Sequence, residues 1–421
     1  MANLSGNSWK EIRHKRVIFT PKWQNCPVNK YYTINRILLL CIGLWPYQKS
    51  SLRHIIITFT TIMLISGVAF QLTAFITMDY NVDILLRILA YSIPWLGYTL
   101  KYIVCLYITQ IRDLMERVQC DWNGLNNTQE VEIIKEYSAV GRFITIITSL
   151  FMYTCISCFI LVLFLSNFLL NVTSSTNESR LRQFPVIIEC FVDHQKYFFP
   201  ILLQLCVVAT CGLTTVVATE TINMSYVHHA CGLFEVASCR IEQALHENMV
   251  QSIPSPIERS SIIYRRIIDG FNMYKRATEF IEMLKVMFKW AYSALLPLGV
   301  LSLSINLYRF SRLISSKDYN EMIVSFMFIL GHFGYMLFGN YLGQLIIDHS
   351  GDVFYRTYNV QWYVAPLRAQ KLLLLVMQRS MRHCTIIIGG LFTPSLEGFA
   401  MVNWYIYNNP LSDISTLDAL L

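Results

Sequence analysis

Long apolar runs, separated by polar or charged segments, recur along the whole chain. A run of about 20 apolar residues is the length that a helix needs to cross a bilayer core roughly 30 Å thick. Hydrophobic residues make up 54% of the chain and charged residues 14%, whereas a soluble protein is about a quarter charged. The sequence therefore predicts an all-α polytopic membrane protein with a single transmembrane domain. The seven predicted spans lie at about 55–78, 84–107, 143–170, 197–219, 286–308, 321–347 and 384–407.

The distribution of Lys and Arg predicts the orientation of these spans. Basic residues concentrate in the arm 1–53 and in the segments that follow spans 2, 4 and 6, and basic loops stay on the cytosolic side of a membrane. The N-terminus is therefore predicted to be cytosolic and the C-terminus extracellular. The glycosylation sequons at Asn171 and Asn177 would then face the outside, where glycosylation occurs. This orientation is opposite to that of a G-protein-coupled receptor.

Several segments outside the spans have the spacing of helices. The linker 109–139, the charged segment 220–285 and the amphipathic stretch 366–380 are all predicted to be helical. The apolar run 37–45 is too short to span, and we interpret it as a helix lying at the inner membrane interface. Lys101, near the inner end of span 2, is expected to extend its ammonium group toward the membrane surface.

Composition and motifs argue against several classes of function. The net charge of +7 is spread over loops and forms no basic domain, so we expect no nucleic-acid partner. The histidines lack the spacing of a metal site, and no catalytic or nucleotide-binding motif stands in a suitable context, so we expect neither an enzyme nor a cofactor. A solute transporter needs interrupted helices with charges in two places. The last span alone shows this pattern, which makes a transporter the weaker alternative.

The last predicted span is interrupted and carries a lone acid. Gly389-Gly390 and Pro394 break the apolar run, and Glu397 follows them. A carboxylate at the centre of a membrane helix costs roughly 2.5–3.5 kcal/mol on insertion scales, so it needs a polar partner or a water-filled path. Two interpretations remain open. Glu397 either raises the cation concentration near an ion path or makes hydrogen bonds to a neighbouring helix whose backbone groups are free.

The last quarter of the chain resembles the insect odorant receptor family. The matching pieces are Gly343-Gln344-Leu345-Ile346, Asp348, Ser350, Tyr358-Asn359, Trp362-Tyr363, Pro366, Gln378-Arg379-Ser380, Cys384, Gly389-Gly390-Leu391-Phe392 and Ser395-Leu396-Glu397-Gly398-Phe399. Gustatory receptors are similar in fold, but the Thr-Tyr, five residues, Gln-Phe pattern of their last span is absent here. A gustatory-type channel subunit is the alternative within this class.

The resemblance implies a subunit of an odorant-gated, non-selective cation channel in the plasma membrane of olfactory sensory neurons. Its partner would be a co-receptor, in a hetero-oligomer that is expected to be a tetramer. Cytosolic helices within 220–285 and 348–380 would form an anchor at the axis. Span 7 would line the pore, with Ser395, Glu397 and Phe399 as the candidate pore or gating residues.

The resemblance also implies a pocket for a small volatile ligand among the outer halves of spans 2, 3, 4 and 6. Apolar and aromatic side chains with a few hydroxyls suit such a ligand, although ordinary helix packing or lipid contact would select the same residue types. The candidate ligand-binding residues are Tyr91, Pro94, Trp95, Ser157, Phe159, Leu163, Phe198, Ile201, Leu205, Ile323, Phe326, Met327 and Leu330.

Overall fold

The computed structural model describes residues 28–77, 81–108, 110–125, 127–173, 192, 196–245, 255–316, 319–390 and 392–408. Its helices are α1 (Val28–Cys41), α2 (Ser50–Thr77), α3 (Val82–Tyr107), α4 (Gln110–Asn123), α5 (Thr128–Thr173), α6 (Phe198–Leu245), α7 (Pro256–Tyr292), α8 (Leu295–Ser316), α9 (Tyr319–Asn359), α10 (Leu367–Ser380) and α11 (Leu396–Asn408). A single β-bridge joins Ile388 and Phe392, and the described ranges contain no β-strand. The all-α prediction is confirmed.

Helix length and hydropathy identify the membrane-crossing helices. Among the described residues, α2, α6, the Thr128–Leu161 part of α5 and the Glu321–Asn359 part of α9 are each long and apolar enough to cross a bilayer. Helices α7 and α8 meet at a bend of 48° and qualify as a pair. Predicted spans 2 and 7 lie on α3, which contains charged residues, and on α11, which has 13 residues.

The outward faces of the membrane helices are apolar. Ile55, Phe59 and Ile62 of α2 and Leu150 and Phe151 of α5 are all exposed on the surface of the chain. Water would hydrate such a surface unfavourably, whereas lipid chains match it. The exposure of these residues therefore marks the lipid-facing side of the bundle.

The densest packing surrounds the second half of α6. From Val217 to Ala244 almost every side chain of α6 is buried, and the helix packs against α5, α7 and α9. Helix α1 also packs on α6, and Leu38, Leu39 and Ile42 are buried. Most of the apolar side chains in the run 37–45 are therefore packed against protein, whereas Ile37 remains exposed.

An ion-pair cluster lies inside this part of the bundle. Asp121 of α4 is fully buried and accepts a hydrogen bond from Arg276 of α7 at 2.5 Å, while His229 of α6 is 3.3 Å from its other oxygen. Burial alone would raise the pKa of Asp121. The hydrogen bond from His229 and the charges of His229, Arg117 and Arg276 outweigh burial and hold the pKa below its ordinary value. The linker helix α4 is thereby fixed to α6 and α7.

Candidate functional site

Tyr91 lies at the centre of a cluster formed by the first half of α3, the end of α8 and the start of α9. Its side chain is 3% exposed, and its ring packs edge-on against Phe328 of α9 with centroids 5.5 Å apart. The guanidinium of Arg309 lies 5.6 Å from the centroid of the Tyr91 ring, which is a cation–π distance. Pro94 and Trp95, one turn further along α3, are half-buried. Tyr91 is therefore packed between α8 and α9.

A charged network joins the start of α3, the end of α8 and the start of α9. Glu321, in the first turn of α9, pairs with Arg309 of α8 and, at 2.5 Å, with Arg87 of α3. Arg312 of α8 lies 3.5 Å from Asp83 of α3. These pairs tie the start of α3 to α8 and α9, one to two turns from Tyr91. Nothing in the sequence pattern pointed to α8 as a wall of this region.

The other candidate ligand-binding residues divide into a buried and an exposed group. Phe198, Ile201 and Leu205 of α6 are buried, with Phe198 fully so. Ser157 and Phe159 of α5 are exposed, and the side chain of Leu163 lies outside the described residues. On α9, the outward-facing candidates are between 50% and 58% exposed, and they are Ile323, Phe326, Met327 and Leu330.

The phase of α9 explains this exposure. Ser325 and Ile329 are buried and Phe328 contacts Tyr91, so the inward face of α9 lies between the predicted positions. The structure thus brings Tyr91 together with Phe328 and leaves the four α9 candidates on the surface of the chain. A uniformly apolar span gives no phase signal from which the inward face could have been read.

A buried ion pair joins α3 to α6 deeper in the bundle. Lys101 is 3% exposed and Glu220 is 5% exposed, and the Lys101 ammonium donates to a Glu220 carboxylate oxygen. The hydroxyls of Tyr292 and Tyr335 also donate to Glu220, at 2.5 Å and 2.7 Å. Asn223 donates to the Tyr292 oxygen at 3.2 Å. The expectation that Lys101 reaches the membrane surface is wrong, because a carboxylate on the facing helix neutralises it inside the protein.

The predicted last span is helical over its second part only. The described residues 384–390 and 392–395 are not helical, and Ile388 and Phe392 exchange backbone hydrogen bonds of 2.8 Å and 3.1 Å. Gly389 and Gly390 have φ angles of 60° and 76°, in the region that glycine adopts at little cost. These two residues turn the chain, so the predicted helix 384–407 begins at Leu396 instead.

The three pore candidates occupy the start of α11. The Ser395 hydroxyl accepts a hydrogen bond from the Gly398 N–H at 3.0 Å, so Ser395 caps the helix. Glu397 is exposed in the first turn, where a carboxylate interacts favourably with the helix dipole, and Phe399 is half-buried. Within the described ranges, no group of three His, Cys, Asp or Glu side chains is arranged to hold a metal ion.

The sequence and fold were compared with known proteins. A family model described as "7tm Odorant receptor" matches residues 81–405, which is most of the chain. This protein belongs to the odorant receptor family. Members of this family are receptors and not enzymes, so the prediction that this protein is not an enzyme is confirmed. A search of curated proteins by sequence finds no match.

Solved structures share the fold of this odorant receptor. The insect olfactory receptor OR5 from Machilis hrabei in complex with eugenol is similar with a TM-score of 0.66 and 11% identity, over 90% of this chain and 96% of that one. A second structure of the same receptor gives a TM-score of 0.64 and 13% identity, over 91% and 99% of the two chains. At these identities the likeness shows the fold, and it confirms the predicted multi-pass membrane architecture.

The motif residues that suggested this family meet in space in this odorant receptor. Ser350 of α9 accepts a hydrogen bond from the Cys384 N–H at 2.9 Å, and Gln344 accepts one from the Leu396 N–H at 3.2 Å. The non-helical segment between α10 and α11 is therefore attached to α9 at both of its ends. Sequence reasoning missed Asn340, Lys101 and Glu220 as site residues. A lone Lys and a lone Glu in two apolar surroundings are the signal that could have paired the last two.

Proposed function

We propose that this odorant receptor forms an odorant-gated, non-selective cation channel with a co-receptor, as a heterotetramer in the plasma membrane of olfactory sensory neurons. The observation that carries the proposal is the setting of α11. It packs on α9 and leaves Met401 and Trp404 exposed together with the charged Glu397. A helix that its own chain covers on one side is suited to face a pore and neighbouring subunits. Ser395, Glu397 and Phe399 would lie at that pore.

The ligand site that we propose is centred on Tyr91. The buried candidates Phe198, Ile201 and Leu205 and the half-buried Trp95 supply apolar surface, and Phe328 is added as a contact. The receptor OR5 has been solved with eugenol, a small aromatic molecule, and a molecule of that size and polarity is the class that we propose here. The exposed α9 candidates would contact the ligand only if α9 rotates or shifts. Without such a movement they would face lipid.

The proposed orientation has a cytosolic N-terminus and an extracellular C-terminus. Basic residues in the arm 1–53 support it. Asn171 lies in the last turn of α5, and Asn177 lies outside the described residues; both would carry glycans on the outer side. Helices α7 and α10 would belong to the cytosolic anchor of a single-domain chain. Epitope tags at the two ends, stained in intact cells, test this: an antibody that reaches the N-terminal tag would overturn it.

Co-expression with an odorant co-receptor tests the channel function. We expect inward cation current on exposure to members of a volatile odorant panel that includes eugenol, and no such current from cells expressing the co-receptor alone. Uptake of a solute without current would favour a transporter. Surface labelling of the tagged receptor ensures that a silent channel is not simply a retained one.

A further inference from the structure

The non-helical segment between α10 and α11 contacts α9 at both of its ends. Its first contact is the hydrogen bond from the Cys384 N–H to the Ser350 hydroxyl at 2.9 Å. Its last contacts are with Gln344 and Asn340, which lie about two and three turns nearer the start of α9 than Ser350 does. The two ends of the segment thus contact α9 in reverse order along the helix, and the segment ends where α11 begins.

Two amide side chains of α9 hold the beginning of α11. Asn340 accepts a hydrogen bond from the Ser395 N–H at 2.9 Å, and Gln344 accepts one from the Leu396 N–H at 3.2 Å. The first N–H groups of a helix have no partner within the helix, so these contacts supply part of what α11 lacks. Asn340 and Gln344 are four residues apart and share one face of α9. Gln344 also donates to Asp348 at 2.7 Å, which orients its amide.

The backbones are in direct contact at the same place. A Cβ atom added to Gly343 would lie 2.1 Å from the carbonyl oxygen of Pro394, which is far inside van der Waals contact. One turn earlier on the same helix, a Cβ atom added to Gly339 would meet nothing within 4 Å. Gly343 therefore permits an approach that no other residue type would allow without displacing Pro394.

Helix α9 connects this contact to the proposed ligand site. It is continuous from Tyr319 to Asn359, and about 18 Å of helix separates Phe328, which touches Tyr91, from Asn340. A shift of α9 at one position therefore moves the other.

We propose that Asn340 and Gln344 are positioning residues that, with Gly343, couple α9 rigidly to the first turn of α11, so that a ligand-driven shift of α9 moves the pore-facing helix. This inference rests on the proposed channel function. The two side-chain hydrogen bonds and the backbone contact at Gly343 make α9, which contacts the proposed ligand site, and α11, which faces the proposed pore, move together.

The docking is tested first without any ligand. Hydrogen exchange is measured on the purified full-length receptor and on the variants Asn340→Ala and Gln344→Ala. We expect exchange of the Ser395 amide to rise about fivefold in Asn340→Ala and that of the Leu396 amide about fivefold in Gln344→Ala, the change expected for losing a hydrogen bond of about 1 kcal/mol. Unchanged exchange at both amides would overturn the docking and the proposal with it.

The coupling is tested by current at matched surface level. Each variant is co-expressed with the co-receptor, and the first agonist found in the odorant panel serves as the probe. We expect the half-maximal agonist concentration to rise about fivefold in each variant, and Gly343→Ala to reduce the maximal current while Gly339→Ala leaves it unchanged. The two glycine variants gain the same helix propensity, so their difference isolates the contact with Pro394.

Two outcomes separate the coupling from the channel function. Faster exchange with an unchanged agonist response at equal surface level would show a structural contact only and overturn the coupling. A wild-type receptor without current for any member of the panel would overturn the channel function and the coupling together, while the exchange experiment would still establish or refute the docking.

Discussion

Lys101 of α3 and Glu220 of α6 form an ion pair that is closed off from solvent and surrounded by tyrosine side chains. Tyr292 and Tyr335 donate to the Glu220 carboxylate, and the Lys101 ammonium lies 4.9 Å and 5.5 Å from the centroids of their rings. Four helices, α3, α6, α7 and α9, are joined at this one carboxylate. A buried pair adds little net stability over an apolar replacement, but removing one partner leaves an uncompensated charge.

We expect Lys101→Met to destabilise the receptor by about 3–5 kcal/mol, because the Glu220 charge loses its partner. The double variant Lys101→Met with Glu220→Leu should recover most of this loss, since it removes both charges together. Thermal unfolding of the detergent-solubilised protein and its surface level measure the effect. A double variant that is less stable than either single variant would contradict this account.

A second prediction concerns Tyr91. Tyr91→Phe keeps the ring that packs on Phe328 and should preserve expression, changing the agonist profile only for ligands that hydrogen-bond the hydroxyl. Tyr91→Ala removes the ring and should shift the profile across the whole panel, with some loss of surface level because a large buried side chain costs about 3–5 kcal/mol when truncated. Leu96→Ala, on the exposed face of the same helix, serves as the control. Profiles that agree among all three variants and the wild type would exclude Tyr91 from the ligand site.

The sequence predicts the all-α membrane class because membrane spans are determined by local composition. Hydropathy places α2, α6 and α9 without any knowledge of their neighbours. The same uniform hydropathy hides which side of a helix faces inward, and the predicted face of α9 was therefore displaced from Phe328 to residues such as Phe326. Long-range polar contacts are equally hidden: the local sequence predicts that Lys101 reaches the membrane surface, because its partner Glu220 lies 119 positions away.

The break in the last span shows a different limit. Gly389-Gly390 and Pro394 were recognised as interruptions, but their consequence depends on α9. The segment remains non-helical because Gly389 and Gly390 turn the chain. Ser350, Asn340 and Gln344 accept hydrogen bonds from backbone N–H groups at its two ends. A local pattern can indicate that a helix is interrupted, whereas the partner that stabilises the interruption becomes visible only in three dimensions.

A third prediction concerns the dependence of stability on pH. His228, on the part of α6 beyond the predicted span, is buried, and both ring nitrogens lack a hydrogen-bond partner. Burial, with a smaller contribution from His349, lowers its pKa from 6.5 to about 4. Between pH 4 and pH 6.5, His228 therefore binds a proton in the unfolded chain but not in the folded chain. The contribution of His228 is therefore fully present above pH 6.5 and is lost as pH falls toward 4, by roughly 2 kcal/mol at pH 5.

His228→Leu should flatten this part of the profile. Melting temperatures of the solubilised receptor between pH 5 and 7 measure the slope, and His54→Gln is the control because His54 is exposed on α2. The lowered pKa of Asp121 acts in the same direction at more acidic pH, since its stabilising charge is lost as the carboxylate is protonated. A wild-type slope that His228→Leu leaves unaltered would assign the pH dependence to other groups.

The last prediction concerns Glu397. Its exposed carboxylate in the first turn of α11 has two possible effects, one on the helix and one on passing cations. Glu397→Gln keeps the shape of the side chain and removes its charge.

If the carboxylate faces the ion path, the single-channel cation conductance of Glu397→Gln should be about twofold below that of the wild type at low ionic strength. At high salt the two conductances should converge, because salt screens the wild-type charge. If it acts only on the helix dipole, the loss should appear as a destabilisation of about 0.3–1 kcal/mol, with conductance unchanged at every salt concentration. Glu397→Asp, which retains the charge, should leave conductance close to that of the wild type under either interpretation.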